Sequence, residues 1–144
     1  MEWLKSAIDY GIIGLLLAMS IVAGAIAIER RLSYKNFPLS KFAEKKALEL
    51  ELTRKLHIIA TIGSNAPYVG LLGTVLGIML TFHTMGIEGF MDTGKIMVGL
   101  ALALKATAVG LIVAIPAITL YNFLLRRVKE LVLEWEMENG RKGI

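Results

Sequence analysis

IMVGLALALKATAVGLIVAIPAITLYNFLL, residues 96–125, is one of three apolar stretches in this chain. It carries a single charge, Lys105, and its last twenty residues carry none. Twenty residues of α-helix are about 30 Å long at roughly 1.5 Å per residue, which matches the hydrocarbon core of a bilayer. The stretch therefore predicts a transmembrane helix.

Small residues recur along one side of this predicted helix. They follow one another at steps of three or four residues: Gly99, Ala103, Ala106, Gly110, Ala114 and Ala117. Such a stripe lets two helix backbones approach closely within a membrane. Polar side chains such as Thr107 and Asn122 also lie in the stretch, and a helix surrounded only by lipid would avoid them. We therefore expect this helix to pack among other helices.

Two further runs, residues 10–28 and 58–82, contain no Asp, Glu, Lys or Arg and are also long enough to span a bilayer. The whole chain is 56% hydrophobic, so the three spans leave little room for a soluble domain. The sequence predicts an all-α membrane protein that forms a single membrane domain over residues 1–144. A cleaved signal peptide is the alternative for residues 10–28, but this run is longer than the usual apolar core of a signal sequence, and charged residues follow it directly.

Basic residues are distributed unevenly over the segments between the spans. Residues 29–57 hold eight Lys or Arg and residues 126–144 hold five, whereas residues 1–9 and 83–95 hold one each. Cytoplasmic segments of membrane proteins are enriched in Lys and Arg. The distribution therefore predicts that the first connection and the tail lie in the cytoplasm, with the N-terminus and the 83–95 loop outside.

The cytoplasmic connection is predicted to contain a helix of its own. Pro38 interrupts helical structure, and Ser40 is a suitable capping residue for an amphipathic helix over residues 40–57. We expect this helix to run into the second span, so that the second and third helices both extend into the cytoplasm. A solvated helix is favoured here over one that recognises lipid.

Threonines offer the first candidate chemistry. No Asp or Glu lies inside a predicted span, so a carboxylate for proton conduction would have to come from another chain. Thr74 and Thr107 come to similar depths, about 14–16 Å from the outer ends of their helices. Two helices would thus present a hydroxyl at one level. The alternative is that each hydroxyl bonds to a carbonyl of its own helix.

Lys105 is the second candidate, because a lysine within a span costs about 2.5–3.5 kcal/mol on insertion scales. A carboxylate or a water-filled cavity beside it would offset that cost. The alternative is that the side chain extends outward along its own stem to reach the membrane surface.

Other classes of site are not predicted. The chain has no cysteine, and its two histidines, His57 and His83, lie at opposite ends of one span, so they cannot share a metal ion. There is no pairing of a nucleophile with a base and no phosphate-binding loop. The basic residues flank the spans instead of forming a nucleic-acid surface. We therefore expect neither an enzyme nor a bound metal, cofactor or nucleic acid.

Two motifs carry a resemblance to a known family. The second span contains APYVGLLGTVLGIM, residues 66–79, and the third contains ATAVGL, residues 106–111, followed by AIPA, residues 114–117. These motifs resemble the second- and third-span signatures of the ExbB/TolQ proteins, distant relatives of the MotA flagellar stator, and they are most like ExbB. The helix-packing positions of the two motifs are Pro67, Gly70, Gly73, Gly77, Gly99, Ala103, Gly110, Ala114 and Pro116.

The resemblance implies a proton-driven motor. It implies a homopentamer in the cell inner membrane, in contact with membrane lipids, that encloses single-span subunits of the ExbD/TolR type. The proton-binding Asp is on that partner helix, and proton flow energises a TonB-type protein acting on the outer membrane. Thr74 and Thr107 fall on the family's pore-facing threonines. A TolQ-like role in the Tol-Pal system and a passive scaffold remain alternatives, whereas a MotA-type stator usually has four spans.

The chain departs from the family pattern at one position. The family often has a Glu three residues before Lys105, and Leu102 stands there instead. The local charge has therefore changed sign. Our hypothesis is that Lys105 meets the partner's carboxylate or tunes its pKa. The cytoplasmic connection and tail are also much shorter than in many ExbB proteins.

Overall fold

The computed structural model describes residues 2–142, and the side chains of residues 3–140; residues 1, 143 and 144 lie outside the described part. Four α-helices follow one another: α1 (Glu2–Lys35), α2 (Lys45–Leu52), α3 (Leu56–Glu88) and α4 (Thr93–Lys142), with a 3-10 turn at Leu39–Lys41. Three of them, α1, α3 and α4, are long and apolar enough to cross a membrane. The predicted all-α fold with three long apolar helices is confirmed.

The connection between α3 and α4 is shorter than predicted. The glycines of residues 83–95 predicted a loop, but α3 continues to Glu88 and α4 begins at Thr93. Gly89 ends α3 in the left-handed conformation (φ 76°), and its N–H donates to the carbonyl of Met85 at 3.1 Å. The loop is reduced to four residues because this cap reverses the chain immediately.

The predicted continuous helix over residues 40–57 is wrong. The structure divides it into the 3-10 turn, α2 and a bend at Thr53–Lys55, where Lys55 adopts a left-handed φ of 69°. Two side chains of α1 explain the break: the Tyr34 hydroxyl donates to the carbonyl of Leu52, and Arg30 Nη1 donates to the carbonyl of Glu51 at 3.3 Å. Because these two carbonyls accept bonds from α1, helix α2 ends at Leu52 and α3 starts as a separate helix.

The largest apolar core lies at the end of the bundle where α2 sits. Leu48 and Leu52 of α2 are fully buried, as is Ile59 of α3. Trp135 of α4 closes this core, and its Nε1 donates to the carbonyl of Phe42 at 3.0 Å. The short helix α2 is thus held against the long helix α4.

Helix α1 packs across α3 and α4 from one side. Its Leu16 is fully buried and lies against Ala66 of α3 and Ala114 of α4. The other sides of α3 and α4 carry exposed apolar residues, among them Val75 and Leu111. The candidate residues therefore lie on two helices that are covered by α1 on one side only.

Candidate functional site

The site is built on a backbone contact between α3 and α4. A Cβ atom on Gly70 would lie 2.6 Å from the carbonyl oxygen of Ala106, and one on Gly110 would lie 2.7 Å from that of Ala66. Both distances are too short for any side chain. The two helices therefore touch through glycines at this level, as closely packed membrane helices do.

The same contact continues toward the end of the helices where α3 meets α4. A Cβ on Gly77 would lie 2.9 Å from the Cβ of Ala103, and one on Gly99 would lie 2.5 Å from Oγ1 of Thr81. Gly73 faces both Ala106 and the α1 side chain of Ile12. The small residues of the two motifs thus form one continuous seam along α3 and α4.

Pro67 and Pro116 differ from these small residues in position. Pro67 is partly buried in α3, and Pro116 is exposed on α4. Each lies inside its helix without ending it. Ala114, the remaining position named from the sequence, is 2% exposed and packs with Leu16 of α1.

Thr74 and Thr107 form a hydroxyl pair across the seam. Oγ1 of Thr74 hydrogen-bonds to the hydroxyl of Thr107 and lies 2.9 Å from the carbonyl oxygen of Ala103, also on α4. A hydroxyl has one proton to donate and can accept from others. Thr74 can therefore donate to Ala103 while it accepts from Thr107, or donate to Thr107 itself.

Other threonines of the bundle bond within their own helices. Thr61, Thr81 and Thr119 each donate to the carbonyl four residues earlier, at 2.7–2.8 Å. Thr74 has a longer contact of this kind, 3.4 Å to Gly70, and its shorter contacts reach α4. Its hydroxyl therefore joins two helices, which sets it apart from those three.

The two paired threonines differ in accessibility. Thr74 is 7% exposed, whereas Thr107 is only partly buried. A group outside the chain would therefore contact Thr107 first. Thr74, the more buried of the two, would orient the Thr107 hydroxyl from its other side.

Lys105 is paired within its own chain. Its Nζ lies 3.3 Å from Oδ2 of Asp9 on α1, and the two side chains are 46% and 34% exposed. The sequence analysis did not single out Asp9, because it precedes the apolar run that begins at Tyr10. The signal that could have found it is that a lysine within a span needs a carboxylate, and Asp9 borders the first span at the same end of the bundle.

The candidate residues do not converge on one point. Lys105 and Thr107 are two residues apart, so their side chains leave α4 about 200° apart. Thr107 faces α3, whereas Lys105 faces α1. The structure thus separates the hydroxyl pair from the ion pair.

A cavity of about 230 Å³ lies beside the ion pair, between α1 and the other two spans. Asp9 and Lys5 line it on α1, and Leu102 and Ala103 line it on α4. Ala103 is also the residue whose carbonyl contacts Thr74. One residue therefore separates this cavity from the hydroxyl pair.

At the opposite end of α1, Glu29 lies in a cluster of cations. Its carboxylate is 3.2 Å from Arg30, 3.0 Å from Lys55 and 3.9 Å from Arg54. The hydrogen bond from Lys55, with a smaller contribution from Arg30, lowers the pKa of Glu29 below its ordinary 4.5. This cluster ties α1 to the bend between α2 and α3. No group of three or more potential metal ligands occurs in the described part of the chain.

Comparisons with known proteins agree with this architecture. The family model for the MotA/TolQ/ExbB proton channel family matches residues 26–137. The biopolymer transport protein ExbB of Aquifex aeolicus is 61% identical over 140 residues, which cover 97% of this chain and 95% of that protein. The putative biopolymer transport protein ExbB-like 2 of Helicobacter pylori is 52% identical over 134 residues, 93% of this chain and 89% of that protein. The Tol-Pal system protein TolQ of Pseudomonas aeruginosa is 43% identical over 84 residues, 58% of this chain and 36% of that protein.

Proposed function

We propose that this chain, which belongs to the MotA/TolQ/ExbB proton channel family, is an ExbB-like subunit of a motor driven by the proton-motive force. The chain is a multi-pass protein of the cell inner membrane. In the proposal it works with a single-span partner of the ExbD type and energises TonB-dependent transport across the outer membrane. The observation that carries the proposal is the Thr74–Thr107 hydroxyl pair.

The hydroxyl pair suits a proton path formed with a second chain. No carboxylate of residues 3–140 is hydrogen-bonded to the pair, so the titrating group would be supplied by the partner helix. Thr107 is accessible enough to donate to an ionised carboxylate and to accept from a protonated one. When Thr107 donates to an ionised carboxylate, Thr74 would donate to Thr107. When Thr107 accepts from a protonated carboxyl, it would donate to Thr74, which in turn donates to the carbonyl of Ala103. Thr74 would thus hold Thr107 in place in both states.

The assembly and orientation belong to the same proposal. Five copies would surround the partner helices, with the α3 and α4 surfaces left uncovered by α1 turned toward the centre. The N-terminus would lie outside and the basic C-terminal tail in the cytoplasm, following the distribution of Lys and Arg. In this arrangement Lys105 lies on the α1 side of its helix. Lys105 would influence the proton path electrostatically, and the opposite charge of Asp9 would offset that influence.

An ExbB-like role is favoured over a TolQ-like role because the Aquifex aeolicus ExbB protein and the Helicobacter pylori ExbB-like 2 protein match 97% and 93% of the chain. The TolQ protein matches 58% of it. A TolQ-like subunit remains the second candidate, and the partner with which the chain is purified distinguishes the two. A passive scaffold that assembles partners without conducting is distinguished by proton flux.

The test is proton flux through the full chain reconstituted in liposomes with its single-span partner. Thr107→Val removes the hydroxyl at nearly constant shape, and Thr107→Ser keeps it. Loss of one hydrogen bond of about 1–1.5 kcal/mol corresponds to a flux lowered about tenfold in Thr107→Val. We expect Thr107→Ser to retain most of the flux.

Thr119→Val is the matched control, because the Thr119 hydroxyl bonds only to its own helix at Ile115. It should conduct like the unmodified chain. Native mass spectrometry of the same preparations counts the copies and retained partners. A pentamer in which Thr107→Val conducts normally would refute the role of the hydroxyl pair in the proton path. A pentamer that retains its partner but conducts no protons in the unmodified chain would place the passive scaffold first.

A further inference from the structure

An open groove of about 810 Å³ runs between α1 and α4, at the end of the bundle where the first apolar span ends. Its walls are apolar and include Ala27 and Ile28 of α1 and Leu120 and Phe123 of α4. Ile28 is 64% exposed and Phe123 is 70% exposed. Because the chain lies in a membrane, this groove is open to acyl chains.

Three cations line the same groove at its polar end. Arg31 and Lys35 are four residues apart on α1, so they lie on one face of that helix, and Arg127 faces them from α4. Arg31 and Lys35 form no ion pair with any side chain in residues 3–140. Arg127 has an acidic neighbour, Glu130, which it shares with Arg126. The groove therefore ends in cations whose charge is mostly uncompensated.

We propose that this groove binds one anionic phospholipid. The acyl chains lie against Ile28 and Phe123, and the phosphate lies among Arg31, Lys35 and Arg127. Guanidinium groups bind phosphate oxygens through paired hydrogen bonds, and basic pockets between spans hold anionic headgroups. The position also fits, because Arg31 follows directly on the apolar run that ends at Ile28. In the orientation proposed above, the lipid belongs to the cytoplasmic leaflet.

Charge favours a lipid over a second copy of the chain in this groove. Copies inserted in the same direction would present their basic ends to one another at the same depth in the membrane. Cations outnumber acids at this end, because residues 29–57 and 126–144 together hold thirteen Lys or Arg and eight Glu. Glu29 is already within 4.0 Å of three cations. A second copy would thus add repulsion, whereas an anionic headgroup relieves it.

The test compares two lipids that differ only in headgroup. The full chain is purified in detergent, mixed with phosphatidylglycerol or phosphatidylcholine of identical acyl chains, and analysed by native mass spectrometry. We expect one phosphatidylglycerol to be retained per copy and phosphatidylcholine to be retained much less. Replacing both Arg31 and Lys35 by Gln should weaken phosphatidylglycerol retention at least about tenfold.

The double variant Lys41→Gln, Lys46→Gln is the matched control. It removes the same charge from two exposed lysines outside the groove, and it should retain lipid like the unmodified chain. Equal retention of the two lipids, or unchanged retention in the Arg31 and Lys35 double variant, would overturn the proposal. A changed number of copies with an unchanged lipid count would assign the groove to a second copy instead. None of these measurements depends on proton flux.

Discussion

Replacing Gly70 by alanine is expected to force α3 and α4 apart and to break the hydroxyl pair. The new Cβ would lie 2.6 Å from the carbonyl oxygen of Ala106, and 3.1 Å from the Cα atoms of Thr107 and Gly110. All three neighbours are backbone atoms, so no side chain can rotate away. The helices themselves must move.

The size of the movement follows from these distances. Ordinary contact begins at 3.4 Å, so the backbones must separate by about 0.8 Å at this level. The bond from Thr74 to the Ala103 carbonyl, now 2.9 Å, would then reach up to about 3.7 Å and cease to be a hydrogen bond. Overpacking costs about 1–3 kcal/mol, and a lost interhelical hydrogen bond in a membrane costs about 0.6 kcal/mol on average. We therefore expect a destabilisation of about 2–4 kcal/mol.

The assay is unfolding of the purified chain in detergent, followed by circular dichroism. Gly86→Ala is the matched control, since Gly86 lies in the same helix and a Cβ there meets nothing within 4 Å. Alanine has the higher helix propensity, so Gly86→Ala should be neutral or stabilising by up to about 1 kcal/mol. Gly70→Ala should thus lower the free energy of unfolding, whereas Gly86→Ala should leave it unchanged or raise it.

A double-mutant cycle then tests the link to the hydroxyl pair. Thr74→Val should destabilise the unmodified chain but add little to Gly70→Ala, because the bond is already broken there. Equal stability of Gly70→Ala and Gly86→Ala would contradict the backbone contact. An undiminished effect of Thr74→Val in the Gly70→Ala background would show that the close approach does not sustain the hydroxyl pair.

Three further predictions concern charges. Asp9→Asn and Lys105→Met should each lower thermal stability by up to about 1 kcal/mol, because the ion pair is partly exposed. Exchanging the two residues should restore most of the lost stability. Purely additive losses would rule out the pairing. If Lys105 also meets the partner's carboxylate, Lys105→Met should shift the pH profile of proton-dependent uptake, and an unchanged profile would reject that hypothesis. The pKa of Glu29 is lowered by Lys55 and Arg30, so its stabilising contribution is present above about pH 4.5 and is lost as the pH falls through the lower, folded-state value. Melting curves from about pH 7 to about pH 3 should therefore lose less stability on acidification in Glu29→Gln than in the unmodified chain, and parallel losses would contradict this assignment.

The three long helices could be predicted because apolar length is a local property of the sequence. Their ends could not, since these depend on contacts. The outer loop was predicted from its glycines, but Gly86 continues α3, and only Gly89 adopts the left-handed conformation that ends the helix. The break after α2 depends on Arg30 and Tyr34, which lie 21 and 18 residues before the carbonyls they bind. No pattern within residues 40–57 indicates it.

The candidate site was predictable in part. Counting residues along two helices placed Thr74 and Thr107 at one depth, and the glycines suggested a close approach. That Lys105 points away from Thr107 follows from helix geometry alone, because residues two apart never share a face. Asp9 is different. It lies outside every apolar run, and only the packing of α1 beside α4 places it against a residue 96 positions later.

The cavity beside the ion pair has a consequence for how relatives of this chain are compared. The resemblance to the family implies an acid at the position of Leu102 in many relatives. Here Leu102 and Asp9, which is an acid, line the same space from different helices. In this chain the carboxylate that lines the cavity is borne by the first span's helix and not by the third. Asp9 also precedes the matched family region, which begins at residue 26. Tracing this charge through the relatives thus requires superposed structures, because a sequence alignment compares the residues of one helix at a time, and the cavity is lined by several helices.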